Sequence, residues 1–257
     1  MQATTATSTI QAITAAIGRS DYKAAHTLAE EALAKGEVHS LLYTARALWF
    51  ERQNLDQDAL ADFETAASLD PQNVMLHNAI GLCLTRLYRL DEAVLTFDEA
   101  IRTNPSFAPS YRRKAIALET MGRLSAAKAE YLRALKLDPR DIESLGHLAM
   151  IEARSGRAAA ARDLVQRALQ TDPRNPTALI AQTLSALTGG DFAAAEAAAR
   201  QVLSVDNINP GARAVAQGLL ADALDGQNRA REAFAAYSAE KQILRAQHAP
   251  RFQHLRS

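Results

Sequence analysis

The chain has 257 residues, and its 29 Lys+Arg against 29 Asp+Glu leave no net charge, which argues against the basic balance of a nucleic-acid binder. Hydrophobic residues make up 48% and aromatics only 5%, and much of the apolar content is alanine, the best helix former. The lone cysteine, Cys83, excludes an internal disulfide, and no stretch of about 18 uncharged apolar residues offers a membrane span.

From the N-terminus, Met1 to Ala16 shows neither a basic cluster nor a continuous apolar run, so no secretory leader is expected and the chain reads as cytoplasmic. Further on, Pro71, Pro105, Pro139 and Pro173 follow one another at steps of 34 residues. A fixed period of that length marks a stacked array. With each proline at repeat position 32, repeats begin at Ser40, Val74, Ala108, Ile142 and Pro176. The frame extends back to 6–39 and, after four extra residues from Pro210 to Arg213, forward to 214–247. Seven helix-turn-helix repeats are therefore expected: 6–39, 40–73, 74–107, 108–141, 142–175, 176–209 and 214–247. They would form one solenoid over 1–247, followed by a loose tail at 248–257 carrying Phe252 and Leu255.

Positions not used to set the register test it. Position 20 is alanine throughout: Ala25, Ala59, Ala93, Ala127, Ala161, Ala195 and Ala233. Position 24 is mostly larger, with Phe63, Phe97 and Tyr131, and position 8 is small in most repeats, with Ala47, Gly81, Ala115 and Ala149. Small residues at 8 and 20 let the two helices of a pair approach, and position 24 fills the space beside them. Position 15 is Asn54, Gly122, Gly156, Gly190 and Asn228, types that tolerate a left-handed helix end, with Tyr88 the exception. Position 34 supplies helix N-caps in Asn73, Asp141, Asn175 and Asn209. The last repeat turns polar where the others are apolar, with Glu240 and Lys241 at positions 27 and 28, as an open solenoid end requires, so the array is expected to finish near Gln247.

This pattern resembles the tetratricopeptide repeat family over nearly the whole chain, most closely at 74–107 through Ile80, Gly81, Ala93, Phe97, Ala100 and Pro105. The resemblance implies an all-α, right-handed superhelical solenoid of antiparallel helix pairs. It further implies a concave face lined by the first helix of each pair. Carried onto this sequence, that face offers Asn78, Leu82, Arg86, Arg112, Arg113, Ile116, His147, Met150, Arg154, Ile180 and Leu184. Its middle is basic and hydrogen-bonding and it turns apolar toward 176–209, which suits an extended peptide with an acidic segment. Asn78 is expected to meet a peptide backbone, and Arg112 to hold a carboxylate through its fork. Family members that clamp a chaperone's C-terminal carboxylate carry lysine at position 5 and asparagine at position 9. Here those positions read Asn78 and Leu82, then Arg112 and Ile116, so that clamp is not expected.

No glycine-rich phosphate loop, paired-cysteine zinc spacing or H-E-x-x-H motif is present, so no catalytic, cofactor or metal residue is assigned. His77 falls at an aromatic core position and Cys83 within a first helix, both read as structural. The leading expectation is a non-catalytic scaffold for a protein or peptide, with no nucleic-acid or membrane partner. The stretch from Ala221 through Tyr237, with His248 to Phe252, also resembles the repeat region of bacterial tetratricopeptide–sulfotransferase proteins. That second resemblance implies an accessory region, inactive alone. A third expectation is self-association as a homodimer.

Overall fold

The structure is a computed structural model that describes the backbone of residues 2–253 and the side chains of residues 8–246. Among these residues there are fourteen helices and no strand. In chain order they are α1 (Gln2–Gly18), α2 (Tyr22–Ala34), α3 (Ser40–Arg52), α4 (Asp56–Leu69), α5 (Val74–Arg86), α6 (Leu90–Thr103) and α7 (Ala108–Thr120). Then come α8 (Leu124–Leu137), α9 (Ile142–Arg154), α10 (Ala158–Thr171), α11 (Pro176–Thr188), α12 (Phe192–Leu203), α13 (Pro210–Gly226) and α14 (Ala230–Gln253). This is the all-α repeat fold the periodicity implied. The expected tail falls on residues whose side chains lie outside the described ones, although the backbone of α14 is helical to Gln253. The chain divides into two compact units, residues 1–130 and 131–257, with the boundary inside α8.

Each helix pair closes on the columns read from the sequence. All seven position-20 alanines are buried, none more than 2% exposed. In the N-terminal unit, Phe63 and Phe97 are 1% exposed and centre a cluster with Leu60, Leu76, Cys83 and Leu84. Burying side chains of this size contributes about 1.5–3 kcal/mol each. A second cluster joins α1, α2 and α3 through Ile13, Ala25, Ala29 and Leu42. In the C-terminal unit, Ala199, Leu220, Leu224 and Ala233 bind α12 to α13 and α14. Gly81 shows why position 8 is small, because a β-carbon there would lie 2.5 Å from Phe97 Cε1.

The helix ends follow from local chemistry. The residues before three of the periodic prolines, Asp70, Asn104 and Asp172, leave the helix with φ near −140°. At position 15 the backbone is left-handed at Asn54 (φ 58°), Gly122 (75°), Gly156 (75°), Gly190 (75°) and Asn228 (60°), and also at Tyr88 (59°). Tyr88 therefore takes the same turn as the others, closed by its own N–H to Thr85 O (3.1 Å) and by Arg89 N–H to Leu84 O (2.9 Å). It does so against its β-carbon's preference, and its side chain is 68% exposed.

Asn73, Asn175 and Asn209 cap their helices through side-chain oxygens, as expected. Asp141 instead accepts from Ser144 Oγ (2.6 Å) and makes no hydrogen bond to a first-turn N–H. The four extra residues from Pro210 form the first turn of α13 and lengthen it to 17 residues, against 13 in α11. Four residues are close to one helical turn, so the buried face keeps its direction.

Gly81→Ala is expected to lower stability by about 1–2 kcal/mol, because the clash with Phe97 outweighs alanine's helix preference. Adding Phe97→Leu should recover part of the loss in urea denaturation. Tyr88→Gly should raise stability by about 0.5–1 kcal/mol by removing the left-handed strain from an exposed residue. An unchanged denaturation midpoint would contradict that account of the turn.

Candidate functional site

Charged side chains first tie successive repeats together in the N-terminal unit. Arg46 on α3 forks onto Asp62 of α4 (Nε–Oδ2 2.7 Å, Nη2–Oδ1 2.5 Å) and reaches Glu30 of α2 at 3.0 Å. Lys114 on α7 does the same with Asp98 of α6 (2.7 Å) and Glu130 of α8 (3.1 Å). Both cations hold repeat position 7, and their carboxylates hold positions 25 and 23. Arg46 is held above its ordinary value first by its hydrogen bond to Asp62, with Glu30 adding to it. For Lys114, burial pushes downward, but Asp98 and Glu130 outweigh it and the net shift is upward. The position-4 side chains anchor the turns before them. His77 Nε2 sits 2.9 Å from Pro71 O, and Tyr111 donates to Pro105 O at 3.0 Å. A carbonyl can only accept, so Nε2 of His77 carries the proton.

The first helices α3, α5 and α7 then position the expected contact residues. Arg86, at the end of α5, is committed within the protein. Its Nε donates to Asp56 Oδ1 (2.6 Å), Nη1 to Glu51 Oε1 (2.9 Å) and Nη2 to Cys83 Sγ (3.3 Å). Burial pushes the Cys83 thiol up to about 12, with Arg86 opposing it, so it stays a neutral packed thiol and not a nucleophile.

Arg113 on α7 is different. It is partly buried, and no hydrogen bond or ion pair to it is found among the described residues. Its guanidinium is pushed down first by burial and then by the neighbouring charge of Arg112, against an upward pull from Glu51. Leu82, Arg112 and Ile116 are partly exposed, as surface contacts need to be.

Asn78 does not sit where a peptide backbone would meet it. It is 0% exposed, and its Nδ2 donates to Val74 O (2.8 Å) and to Ser110 Oγ of α7 (2.7 Å). Its Oδ1 is buried with no partner. The helical position was right, but the side chain serves as a strut between α5 and α7.

In the C-terminal unit the expected apolar surface is largely closed. Met150 is 9% and Ile180 8% exposed, because α9 and α11 pack closely. Gly146 permits that approach, since a β-carbon there would lie 2.7 Å from Thr177 Cγ2 and 3.3 Å from Ala178 N. His147 stacks on Tyr131 with ring centroids 5.5 Å apart. Arg154 is exposed and Leu184 partly exposed.

Among the described residues no cluster of three or more His, Cys, Asp or Glu is placed to hold a metal, and no helix is long and apolar enough to cross a membrane.

Antiparallel helix pairs with an alanine seam, tied by recurring position-7 bridges, define a helical repeat protein. The tetratricopeptide repeat family model matches residues 10–73, 52–108 and 112–176, and the chain belongs to that family. No curated protein sequence matches it. Solved structures share the fold. A tetratricopeptide repeat protein from Parabacteroides merdae superimposes with TM-score 0.72 at 15% identity, covering 92% of each chain. PilW, a type IV pilus biogenesis factor, gives 0.67 at 22% identity, covering 80% of this chain and 96% of PilW. A chain of the Cut9–Hcn1 hetero-tetramer gives 0.69 at 15% identity, covering 86% of this chain and 43% of that one. The family match ends at residue 176, short of the stretch from Ala221 to Phe252, and nothing in these matches supports a relationship to sulfotransferases.

The Arg46 and Lys114 bridges are not among the expected contacts, although a cation at position 7 with acids at positions 25 and 23 recurs in the same columns. Arg46→Met should cost about 2–3 kcal/mol in urea denaturation, because it leaves Asp62, only 5% exposed, without its fork. A loss no larger than that of Arg102→Met, on an exposed pair, would reduce the bridge to a surface contact.

Proposed function

We propose that the chain is a non-catalytic scaffold that binds an acidic, extended peptide along the face made by α3, α5 and α7, with Arg113 as its anchor. Arg113 itself carries the reading. Its charge is kept partly out of water beside a second guanidinium, without a carboxylate of its own. A ligand carboxylate relieves both penalties at once, and the planar fork can take it in two hydrogen bonds. Arg86 cannot play that part while Asp56 and Glu51 occupy it. Leu82 and Ile116 offer aliphatic surface on the same helices for an apolar residue of the peptide. The matched chain of the Cut9–Hcn1 hetero-tetramer, of the same fold, belongs to an assembly, which supports a partner-holding role.

An array of acetylated acidic hexapeptides should contain binders whose affinity drops about tenfold or more with Arg113→Glu and falls as salt rises. Arg112→Glu should weaken binding less. Binding by Arg113→Glu equal to that of the wild type would remove the anchor and the proposal with it.

A further inference from the structure

The C-terminal unit contains a cleft of about 580 Å³ between α10, α11 and α12, lined by none of the expected contact residues. Gln182, Ser185 and Ala186 reach it from one stripe of α11, and Gly189 from that helix's C-terminal cap. Val165 and Leu169 give it an apolar wall on α10. Its third side is α12, where Ala194 stands at repeat position 19, held by Asp58 and Glu92 in earlier repeats. Arg162, Gln166, Gln170 and Ala194 are exposed, so the cleft opens to solvent.

Two polar atoms on its floor have no partner in the protein. Gln182 Oε1 is buried and unbonded, and so is Ser185 Oγ on a residue only 6% exposed. Thr183 and Thr188, on the same helix, turn their hydroxyls back to carbonyls four residues earlier, at 2.8 and 3.0 Å. Ser185 makes no such bond. A buried polar group left unmatched costs about 1–3 kcal/mol, so this pair is costly unless something in the cleft engages it.

We propose that the cleft is a second binding site, for an uncharged, extended peptide segment with a branched apolar side chain. A peptide unit presents one N–H donor and one C=O acceptor, which match the acceptor Gln182 Oε1 and the hydroxyl of Ser185. Gln166 and Gln170, one turn apart on α10, can meet further backbone groups. A helical ligand satisfies its own amides and offers none to these atoms. Charge is disfavoured because the two ionic residues of the lining, Arg162 and Asp191, oppose each other in sign, and Asp191 already caps α12. The apolar side chain would lie against Val165 and Leu169. This inference does not depend on Arg113.

The test is ¹H–¹⁵N NMR titration of the full chain with acetylated, amidated Ala-X-Ala-X-Ala peptides, X being Val, Leu, Ile or Phe. At least one should give saturable shifts at the Gln182 side-chain amide and at the backbone of 182–194. Ser185→Ala should weaken that binding about fivefold while raising Tm, because it deletes an unmatched hydroxyl. Ala194→Trp, at an exposed position, should block the cleft and leave Tm unchanged, and Arg113→Glu should have no effect. The proposal is overturned if no peptide saturates. It is equally overturned if backbone N-methylated peptides bind as well, if octanamide matches the best peptide, or if Ala194→Trp leaves binding unchanged.

Discussion

Close approach of the two helices within each pair is the constraint on which the other features depend. At position 20 every repeat places an alanine with essentially no exposure, and position 8 opposite it is alanine, glycine or threonine in every repeat after the first, where it is Ile13. With small side chains at these seams, the helices come near enough for Phe63 and Phe97 to be enclosed beside them. The cost is a core that does not tolerate added volume, as Gly81 against Phe97 shows. Alanine-rich helices also have little large apolar surface to bury. Contacts between repeats must therefore come partly from elsewhere, and in the N-terminal unit they come from charge.

The position-7 bridges supply that contact in alternate repeats. Arg46 and Lys114 each span from the second helix of the preceding repeat to the second helix of their own. Between them, in the repeat that begins at Val74, position 7 is Ile80 and is buried in the apolar cluster. The same geometric slot is thus filled by a bonded cation or by an aliphatic side chain. Each suits its neighbours, since a buried carboxylate such as Asp62 needs a partner and an apolar wall does not.

Periodicity made the fold legible because a repeated packing problem repeats its solution in the sequence. Repeat register, helix order, turn positions and three of four proposed asparagine or aspartate caps could be read from columns alone. Tyr88 marks the limit of reading conformation from residue type, since its turn is set by the hydrogen bonds around it and not by its own preference. The binding surface was less legible for a related reason. The columns give a residue's place on its helix but not the distance to the next one. Met150 and Ile180 lie on the expected helices, yet Gly146 lets α9 and α11 come together and both side chains are buried. Arg86 and Asn78 were placed on the right helix, but their partners Asp56, Glu51 and Ser110 lie about 30 residues away or more and turn both inward.

Those displaced expectations explain why the two candidate sites differ in chemistry. In the N-terminal unit the first helices leave polar surface open, and Arg113, partly buried beside Arg112 and without a carboxylate of its own among the described residues, favours a charged ligand. In the C-terminal unit the first helices close on each other, so little of their face is left for a partner. Space survives instead beside the second helices, where the alanines of α12 are too short to fill it. Apart from Arg162 and Asp191, which oppose each other in sign, that space is lined by amide, hydroxyl and aliphatic groups, and such a surface gains most from a ligand that is itself a neutral amide. The same economy of alanine that permits the seam within a pair thus leaves room between pairs, and the polar atoms stranded there give that room its specificity.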